Sequence, residues 1–450
     1  MVQKNTIVKG AFILTLTGFA TRFIGFFYRI FLSRTFGEEG VGIYQLIFPV
    51  FALGFSLTCA GIETAISRCV AGKMSVGKAR QAKEILYTGI SLSVFLSILF
   101  LLILQWNAEF VATELLKEPR CEPLLLVLSY AFPFAAVHGC ICGYYIGLKQ
   151  TRIPALSQII EQLVRVASVW AIYAFLKRSS GAPGIIVAVA GYATGEVASS
   201  LFCIWSVNRR ETKKIPCRNS FPAYFTNLYE LLHICVPLTG SRVLLNLLQS
   251  AEAVSIPLRL QMFGFSVKDS LSIYGVLTGM ALPCILFPSA ITNAIACMLL
   301  PTIAEIQALD DQKEMNSIVK KVFACCFFLG TVCCFFLIIT GSFIGNLLFH
   351  SQMAGQFIIT LAWMCPFLYT NSNLISIING LGHTTYSFLY NTISLLIRLC
   401  SVFLAIPAFG IRGYLWGLLG SQLALFMLCI LHLKKIAQCA IFACKRTAKQ

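Results

Sequence analysis

Two arginines inside an apolar stretch are the residues of this sequence best suited to binding chemistry. Arg22 and Arg29 follow Thr15, Gly18 and Gly25 at intervals of three or four residues. At about 100° per residue, these positions form one stripe along a helix. A charged side chain in an apolar environment is costly unless it is paired or hydrated. The glycine-lined stripe therefore predicts that both arginines line a wet cavity.

A second apolar stretch carries a similar polar stripe. Its members, which fall within about 100° of one another on a helix, are Thr239, Arg242, Asn246, Gln249 and Ser250. The arginines of the two stretches outnumber the nearest acids, Glu63 and Glu252, and this surplus of positive charge favours an anionic ligand. Because the planar guanidinium suits bidentate binding of phosphate oxygens, we expect a phosphate or pyrophosphate group. The predicted substrate-binding set is Arg22, Arg29, Arg242, Asn246, Glu63 and Glu252.

Further charges inside apolar stretches form a second group. Glu161 and Arg165 stand four residues apart in the order that favours an ion pair on one helix. Arg398 corresponds to Arg165 in an internal repeat described below, and Glu196 is another acid in an apolar stretch. We predict structural or ion-coupling roles for these residues. For both groups, the sequence also allows a simpler interpretation, in which the charges join neighbouring helices without any ligand.

Motifs for catalysis, metals and cofactors are missing from the sequence. The five histidines are scattered, and no HExxH, GxSxG or Walker A motif occurs. The 19 cysteines lie mostly in apolar stretches without paired CxxC motifs, as expected of small apolar side chains. The sequence therefore predicts a protein that is not an enzyme and has no cofactor and no metal.

Composition places these residues in a membrane. Of the 450 residues, 58% are hydrophobic and only 12% are charged, whereas soluble domains carry about 25% charged residues. Apolar stretches of roughly 20 residues, each long enough to span a bilayer as a helix, recur along the chain. The net charge of +17 is spread over short clusters between these stretches and forms no continuous basic face, which argues against nucleic acid as a partner. The predicted fold class is an all-α polytopic membrane protein.

About twelve membrane spans are predicted from the apolar stretches. They lie near residues 7–32, 41–67, 85–106, 122–147, 153–176, 184–207, 227–258, 270–300, 317–348, 356–381, 385–408 and 411–433. The first stretch lacks a small-residue cleavage site and is expected to stay as the first span. Lys and Arg concentrate in alternate loops, including 209–218 and the end of the chain. By the positive-inside rule, both termini are therefore cytoplasmic.

The two halves of the chain carry an internal repeat. Gly147–Thr151 resembles Gly380–Thr384, and the same offset aligns Arg165 with Arg398. Parallel repeats of six spans predict two lobes related by a pseudo-two-fold axis along the membrane normal, with a cavity between them. The expected divisions are an N-terminal lobe at 1–207, a basic cytoplasmic linker at 208–220, a C-terminal lobe at 221–436 and a basic tail at 437–450.

Residues 18–73, which begin GFATRFIGFFYR, and residues 147–166, GLKQTRIPALSQIIEQLVRV, resemble the stage V sporulation protein B family. This family belongs to the polysaccharide-transporter branch of the multidrug/oligosaccharidyl-lipid/polysaccharide exporter superfamily and is similar to the lipid II flippases. The resemblance implies a V-shaped, MATE-like bundle in a bacterial cell membrane. It also implies a polyprenyl-diphosphate-linked saccharide, a peptidoglycan precursor, as substrate, moved outward by alternating access with Arg22, Arg29 and Arg242 on the diphosphate.

Two departures from the relatives concern the arginines and the lipid tail. The spacing of Arg22 and Arg29 differs slightly from that in lipid II flippases, and many relatives have two further C-terminal spans that house the polyprenyl tail.

Three other functions compete with the flippase. A cation-coupled multidrug exporter should have a cavity dominated by acids, a membrane enzyme should have a sizeable catalytic loop outside, and a scaffold would leave the arginine stripe unexplained. The driving force stays open between H⁺, Na⁺ and the membrane potential.

Overall fold

The computed structural model describes residues 2–179, 184–210, 221–308 and 312–447, and within them every regular element is a helix. The described residues belong to two compact units, Met1–Val254 (unit 1) and Ser255–Gln450 (unit 2). The helix α10 begins in unit 1 and ends in unit 2. The helices of the chain are α1 (Val2–Leu46), α2 (Phe48–Phe55), α3 (Gly61–Ser75), α4 (Ala79–Trp106), α5 (Ala108–Phe110), α6 (Glu122–Ser129), α7 (Ala131–Gly147), α8 (Arg152–Ser179), α9 (Ile186–Arg210), α10 (Phe221–Phe263), α11 (Val267–Gly275), α12 (Leu282–Leu286), α13 (Ser289–Ala308), α14 (Gln312–Phe349), α15 (Gln352–Ala362), α16 (Cys365–Gly380), α17 (Thr384–Cys400), α18 (Ile406–Phe409) and α19 (Ile411–Thr447).

The described helices are long and apolar enough for a polytopic membrane protein, which confirms the predicted fold class. Nine helical segments could cross a membrane, or eleven if the bent pairs α6–α7 (46°) and α15–α16 (57°) each form one span. The first segment, Thr15–Ser75, has 61 residues, whereas one span needs about 20. It bends at Gly37, whose φ of 71° and ψ of −178° are not helical. If this segment crosses twice, the structure agrees with the prediction of about twelve spans.

Several helices continue through a π-helical turn, in which the backbone hydrogen bonds join residues i and i+5 and which often lies at a functional site. One such turn, Ser56–Ala60, joins α2 to α3 in unit 1. Two more, Val276–Ala281 and Ser401–Ala405, lie in unit 2. The turn at Ser56–Ala60 is the one that matters for the candidate site, because polar side chains of α10 meet the carbonyls around it.

The loop predicted to repeat in both halves has the same backbone geometry in both units. Lys149 and Gly382, which are aligned by the repeat, both adopt positive φ values, 60° and 80°. The amide of Lys149 donates to the carbonyl of Ile146 at 2.9 Å, and the amide of Gly382 donates to that of Asn379 at 3.0 Å. The described loops therefore agree with the sequence repeat. The predicted linker lies mostly in residues 211–220, outside the described residues, and the division into lobes stays a prediction.

Small residues bring α3 and α7 close together in unit 1. A Cβ atom added to Gly143 would lie 2.4 Å from the carbonyl oxygen of Glu63, and one added to Gly147 would lie 2.7 Å from that of Ser67. Glycine allows such close approach because it has no side chain, and membrane helices use it in this way. This packing places the Glu63 side chain of α3 against α7, where the buried part of the candidate site begins.

Candidate functional site

The helix α1 has a core face and an apolar outer face. Thr17 and Tyr28 lie on the core face, each with 6% of its surface exposed. Phe19, Phe23 and Phe27 lie on the outer face and are 40%, 47% and 53% exposed. The two faces are separated by roughly 125° around the helix axis. Exposed aromatic side chains at intervals of four residues are those expected of a surface in contact with lipid.

The predicted arginine stripe forms a third face of α1. It lies about 110° from the core face and about 125° from the phenylalanine face. Arg22 is exposed and Arg29 is half-buried. A methyl group added to Gly18 or Gly25 would meet no heavy atom of the described residues within 4 Å, leaving aside the helix itself. The third face therefore combines two charges with open space, and it is neither packed into the core nor apolar.

The polar stripe of α10 bonds to the helices α2 and α3 within unit 1. Arg242 donates from Nη1 to the carbonyl of Ala60 at 2.6 Å and from Nη2 to Thr64 Oγ1 at 3.0 Å. The carbonyl of Ala60 is at the end of the π-helical turn and also accepts a hydrogen bond from Thr64 Oγ1 at 3.1 Å. Two of the five N–H donors of this guanidinium thus hold α10 against α3.

The polar stripe of α10 also bonds to α2 and the π-helical turn after it, through residues spaced one helical turn apart. Asn246 Nδ2 donates to Ser56 Oγ and to the carbonyl of Ala52, the latter at 3.3 Å. Ser250 Oγ donates to the carbonyl of Pro49 at 3.3 Å. We call this row of bonds, made by Arg242, Asn246 and Ser250, the α10 zipper. It explains why unit 1 extends to Val254, well beyond the predicted linker.

Glu63 connects the α10 zipper to the interior of unit 1. Its carboxylate interacts electrostatically with Arg242 of α10 and with His138 of α7. A Cβ added to Gly139 of α7 would lie 3.6 Å from Glu63 Oε2, so α7 and this carboxylate are in close contact. Glu252, the other acid predicted near the arginines, is buried with 3% of its surface exposed, at the end of unit 1.

The predicted ion pair between Glu161 and Arg165 is confirmed. Arg165 Nη2 bonds to Glu161 Oε1 one turn earlier on α8. The guanidinium of Arg165 also lies over the ring of Tyr192, with 4.2 Å between its central carbon and the ring centroid. Only 9% of Arg165 is exposed. A carboxylate and an aromatic face therefore both stabilise this buried charge. Arg398, the predicted counterpart, is half-buried on α17 in unit 2.

Glu196 and His138 complete the buried group. Glu196 of α9 is 5% exposed, and its Oε2 lies 3.5 Å from His138 Nδ1. Ligand atoms of His138, Glu161 and Glu196 lie within 4.8 Å of one another, and so do those of His138, Cys142 and Cys203. Either set has ligand types that bind metal ions. We call His138, Glu161, Arg165 and Glu196 the buried charge cluster; the sequence interpretation missed its histidine.

Comparison with known proteins identifies the family. Residues 7–307 match the family described as polysaccharide biosynthesis protein, and the chain belongs to this family. It is 28% identical over 425 residues to stage V sporulation protein B of Bacillus subtilis (strain 168), covering 92% of this chain and 80% of that protein. Its fold is similar to that of the lipid II flippase MurJ in an inward closed conformation, with a TM-score of 0.72, 15% identity and coverage of 94% of this chain and 87% of that one. The fold is also similar to an inward-facing multidrug resistance MATE family transporter, with a TM-score of 0.70, 12% identity and coverage of 96% and 98%.

Proposed function

We propose that this member of the polysaccharide biosynthesis protein family is a flippase, which moves a polyprenyl-diphosphate-linked saccharide from the inner to the outer leaflet of a bacterial cell membrane. The observation that carries the proposal is the third face of α1, with Arg22, Arg29 and two glycines. The family membership supports a saccharide as cargo, and the similarity to the lipid II flippase supports a lipid-linked form of it. A peptidoglycan precursor is the substrate we favour.

We propose that the diphosphate binds beside Gly25. This glycine lies between Arg22 and Arg29 along the same face, and apart from its own helix no heavy atom of the described residues lies within 4 Å of the position of its missing Cβ. The Cα atoms of the two arginines are seven residues apart, about 10.5 Å along the axis, so two long side chains can converge on one headgroup between them. Each guanidinium offers a planar pair of N–H donors for phosphate oxygens. The remaining N–H donors of Arg242 are proposed to assist.

The face of α1 is tested by measuring flipping in proteoliposomes. Lipid II and other polyprenyl-diphosphate saccharides serve as substrates, and the amount of inserted protein is matched for each variant. We expect Arg22→Ala and Arg29→Ala to abolish flipping, and Arg22→Lys to retain part of it because the charge stays while the planar fork is lost. Gly25→Leu should also abolish flipping, since the leucine side chain fills the space beside the α1 backbone without changing any charge.

Arg34→Ala is the matched control. It removes an arginine from the same helix, but Arg34 is exposed and lies on the side of the phenylalanine face. We therefore expect this variant to flip lipids at the normal rate. If Arg22→Ala and Arg29→Ala both flip lipid II and the other saccharide lipids at the wild-type rate, the diphosphate site is wrong. Export of a cationic dye without flipping of any lipid would instead support the multidrug exporter.

A further inference from the structure

The buried charge cluster brings an odd number of charges into the interior of unit 1. Glu161 and Glu196 are carboxylates, Arg165 stays protonated under all ordinary conditions, and Glu161 already bonds to Arg165. The count leaves one negative charge on Glu196, a residue with 5% of its surface exposed. An uncompensated buried charge is strongly destabilising. One additional positive charge is therefore needed beside Glu196.

The additional positive charge is needed next to Glu196 Oε2. This oxygen is buried and accepts no hydrogen bond from the described residues. The nearest group that can become positive is the ring of His138, with Nδ1 at 3.5 Å. Glu63 also interacts with His138, and Glu63 in turn interacts with Arg242, so these two residues add one negative and one positive charge. Including these two residues therefore leaves the balance unchanged.

Two serines indicate which nitrogens of the His138 ring carry a proton. Ser157 Oγ lies 3.0 Å from His138 Nε2 and donates its own proton to the carbonyl of Pro154 at 2.9 Å. Ser199 Oγ lies 3.3 Å from His138 Nδ1 and donates its proton to the carbonyl of Glu196 at 3.0 Å. A hydroxyl has one proton to donate, so in this arrangement both oxygens accept from the ring. Only the imidazolium form has a donor on each nitrogen.

We propose that His138 and Glu196 form a buried proton-binding site in unit 1, which is neutral when it holds one proton and carries a negative charge when it releases it. Histidine is the side chain whose charge changes near neutral pH with small changes of environment. The other titratable or charged groups around the site are Cys142 on α7, Glu161 and Arg165 on α8, Tyr192 and Cys203 on α9, and Glu63 on α3. On α1, Tyr28 and Tyr44 interact with Arg165, and Arg29 interacts with these two tyrosines.

A proton fits this site better than a metal ion does. Arg165 bonds to one of the two carboxylates, so an added cation would sit beside a guanidinium or displace it. A proton needs only the hydrogen-bond acceptors already around His138. The thiols of Cys142 and Cys203, which share the 4.8 Å group with His138, make a soft metal ion the principal competitor.

The site also has a route by which it can act on α10. Glu63 interacts with both His138 and Arg242, and Arg242 holds α10 to α3 through the α10 zipper. Loss of the proton from His138 removes one of the two positive charges that attract Glu63, so that Arg242 is the remaining one. We infer that a proton gradient drives transport through this chain of charges, an inference that rests on the proposed flippase function.

Proton binding is measured without transport, on purified protein in lipid nanodiscs. Nuclear magnetic resonance of ¹⁵N-labelled histidine rings gives the titration of His138, whose signal is identified by its loss in His138→Gln. We expect Glu196→Gln to weaken proton binding at His138 at least tenfold, because the neutral amide no longer stabilises the imidazolium. Glu84→Gln is the matched control. It removes a carboxylate that bonds an arginine, Arg80, at 3.2 Å but lies on another helix, and it should leave the titration of His138 unchanged.

Coupling is measured by flipping of lipid II in proteoliposomes under an imposed pH gradient or an imposed Na⁺ gradient. We expect the pH gradient to accelerate the wild type several-fold and to leave Glu196→Gln at its rate without a gradient. An unchanged titration of His138 in Glu196→Gln would overturn the site, as would stoichiometric zinc that is lost in Cys142→Ser. Acceleration by Na⁺ alone would overturn the proton as driving ion. A shifted titration in a protein that flips no saccharide lipid would leave the site standing and reject the flippase function.

Discussion

Replacing Gly61 with alanine tests the contact between α3 and α10 on which the α10 zipper depends. A Cβ atom at this position would lie 1.9 Å from Thr239 Oγ1, 3.2 Å from Thr239 Cβ and 3.1 Å from the carbonyl oxygen of Cys235. A rotation of the threonine side chain can move its hydroxyl, but neither its Cβ nor a backbone carbonyl can move in this way. The two helices must therefore separate, next to the bond between Arg242 and Ala60.

The expected size of the effect follows from two opposing contributions. Alanine in place of a helical glycine stabilises a helix by up to about 1 kcal/mol, whereas overpacking a close contact costs about 1–3 kcal/mol. Gly72→Ala isolates the first contribution, because Gly72 is in the same helix and, apart from that helix, no heavy atom of the described residues lies within 4 Å of its Cβ position. Gly61→Ala should therefore be about 1–3 kcal/mol less stable than Gly72→Ala. At about 2–4 °C per kcal/mol for a domain of this size, its melting temperature should be roughly 2–12 °C lower.

Melting is followed with a fluorogenic thiol reagent on protein in detergent or nanodiscs. Cys59, Cys69 and Cys235 are buried in unit 1 and react as the unit unfolds. Thr239→Ala in the Gly61→Ala background removes the 1.9 Å contact and leaves those at 3.1 and 3.2 Å, so it should recover part of the loss. Equal melting temperatures for Gly61→Ala and Gly72→Ala would refute the close approach of α3 and α10.

Two further predictions concern the ion pair and the topology. We predict that Glu161 and Arg165 are mainly structural: reversing the charge of either alone should lower the yield of folded protein, while the double swap should restore much of it. Normal yield with abolished transport in both single variants would show that the pair acts on substrate or ions. Reporter fusions after Gln450 and within 209–218 should give a cytoplasmic signal, as the Lys and Arg distribution requires, and an external signal at either place would reject the proposed orientation.

Local features were predictable from the sequence because they depend on periodicity alone. The spacing of Arg22 and Arg29 fixed their shared face on α1, and the i,i+4 spacing of Glu161 and Arg165 fixed their ion pair. The aligned loops around Lys149 and Gly382 also share a backbone geometry, as the repeat predicted. Each of these inferences requires only the geometry of one helix or one turn.

The partners of Arg242 and Asn246 were not predictable in the same way. A polar stripe on a helix suits a wet cavity and a bonded neighbour equally well, and periodicity cannot distinguish them. The carbonyls of Ala52 and Ala60, which accept bonds from this stripe, flank a π-helical turn that no residue pattern of the sequence indicated. Which helix lies beside α10 also depends on Gly61, whose lack of a side chain permits the close contact with Thr239.

His138 was missed because a single histidine in an apolar stretch most often packs without a specific role. A usable signal was present, since Cys142 follows it by four residues and the two next spans each contain an acid, Glu161 and Glu196. Four residues separate side chains on one helix face, so His138 and Cys142 had to point the same way. The missing information was that α7, α8 and α9 are neighbours, which the structure supplies.

The regrouping of charges has a consequence for mechanism. In the sequence, the three arginines of the first and seventh spans outnumber the two nearest acids, Glu63 and Glu252, which predicted a surplus of positive charge. In the structure, Arg242 interacts with Glu63, which also interacts with His138 of the buried charge cluster, while Arg22 and Arg29 lie on the third face of α1. Unit 1 therefore combines an arginine face on α1 with a buried carboxylate, Glu196, that needs one more positive charge beside it. The first suits an anionic headgroup and the second a proton, so substrate and driving ion can bind the same unit without competing for one site.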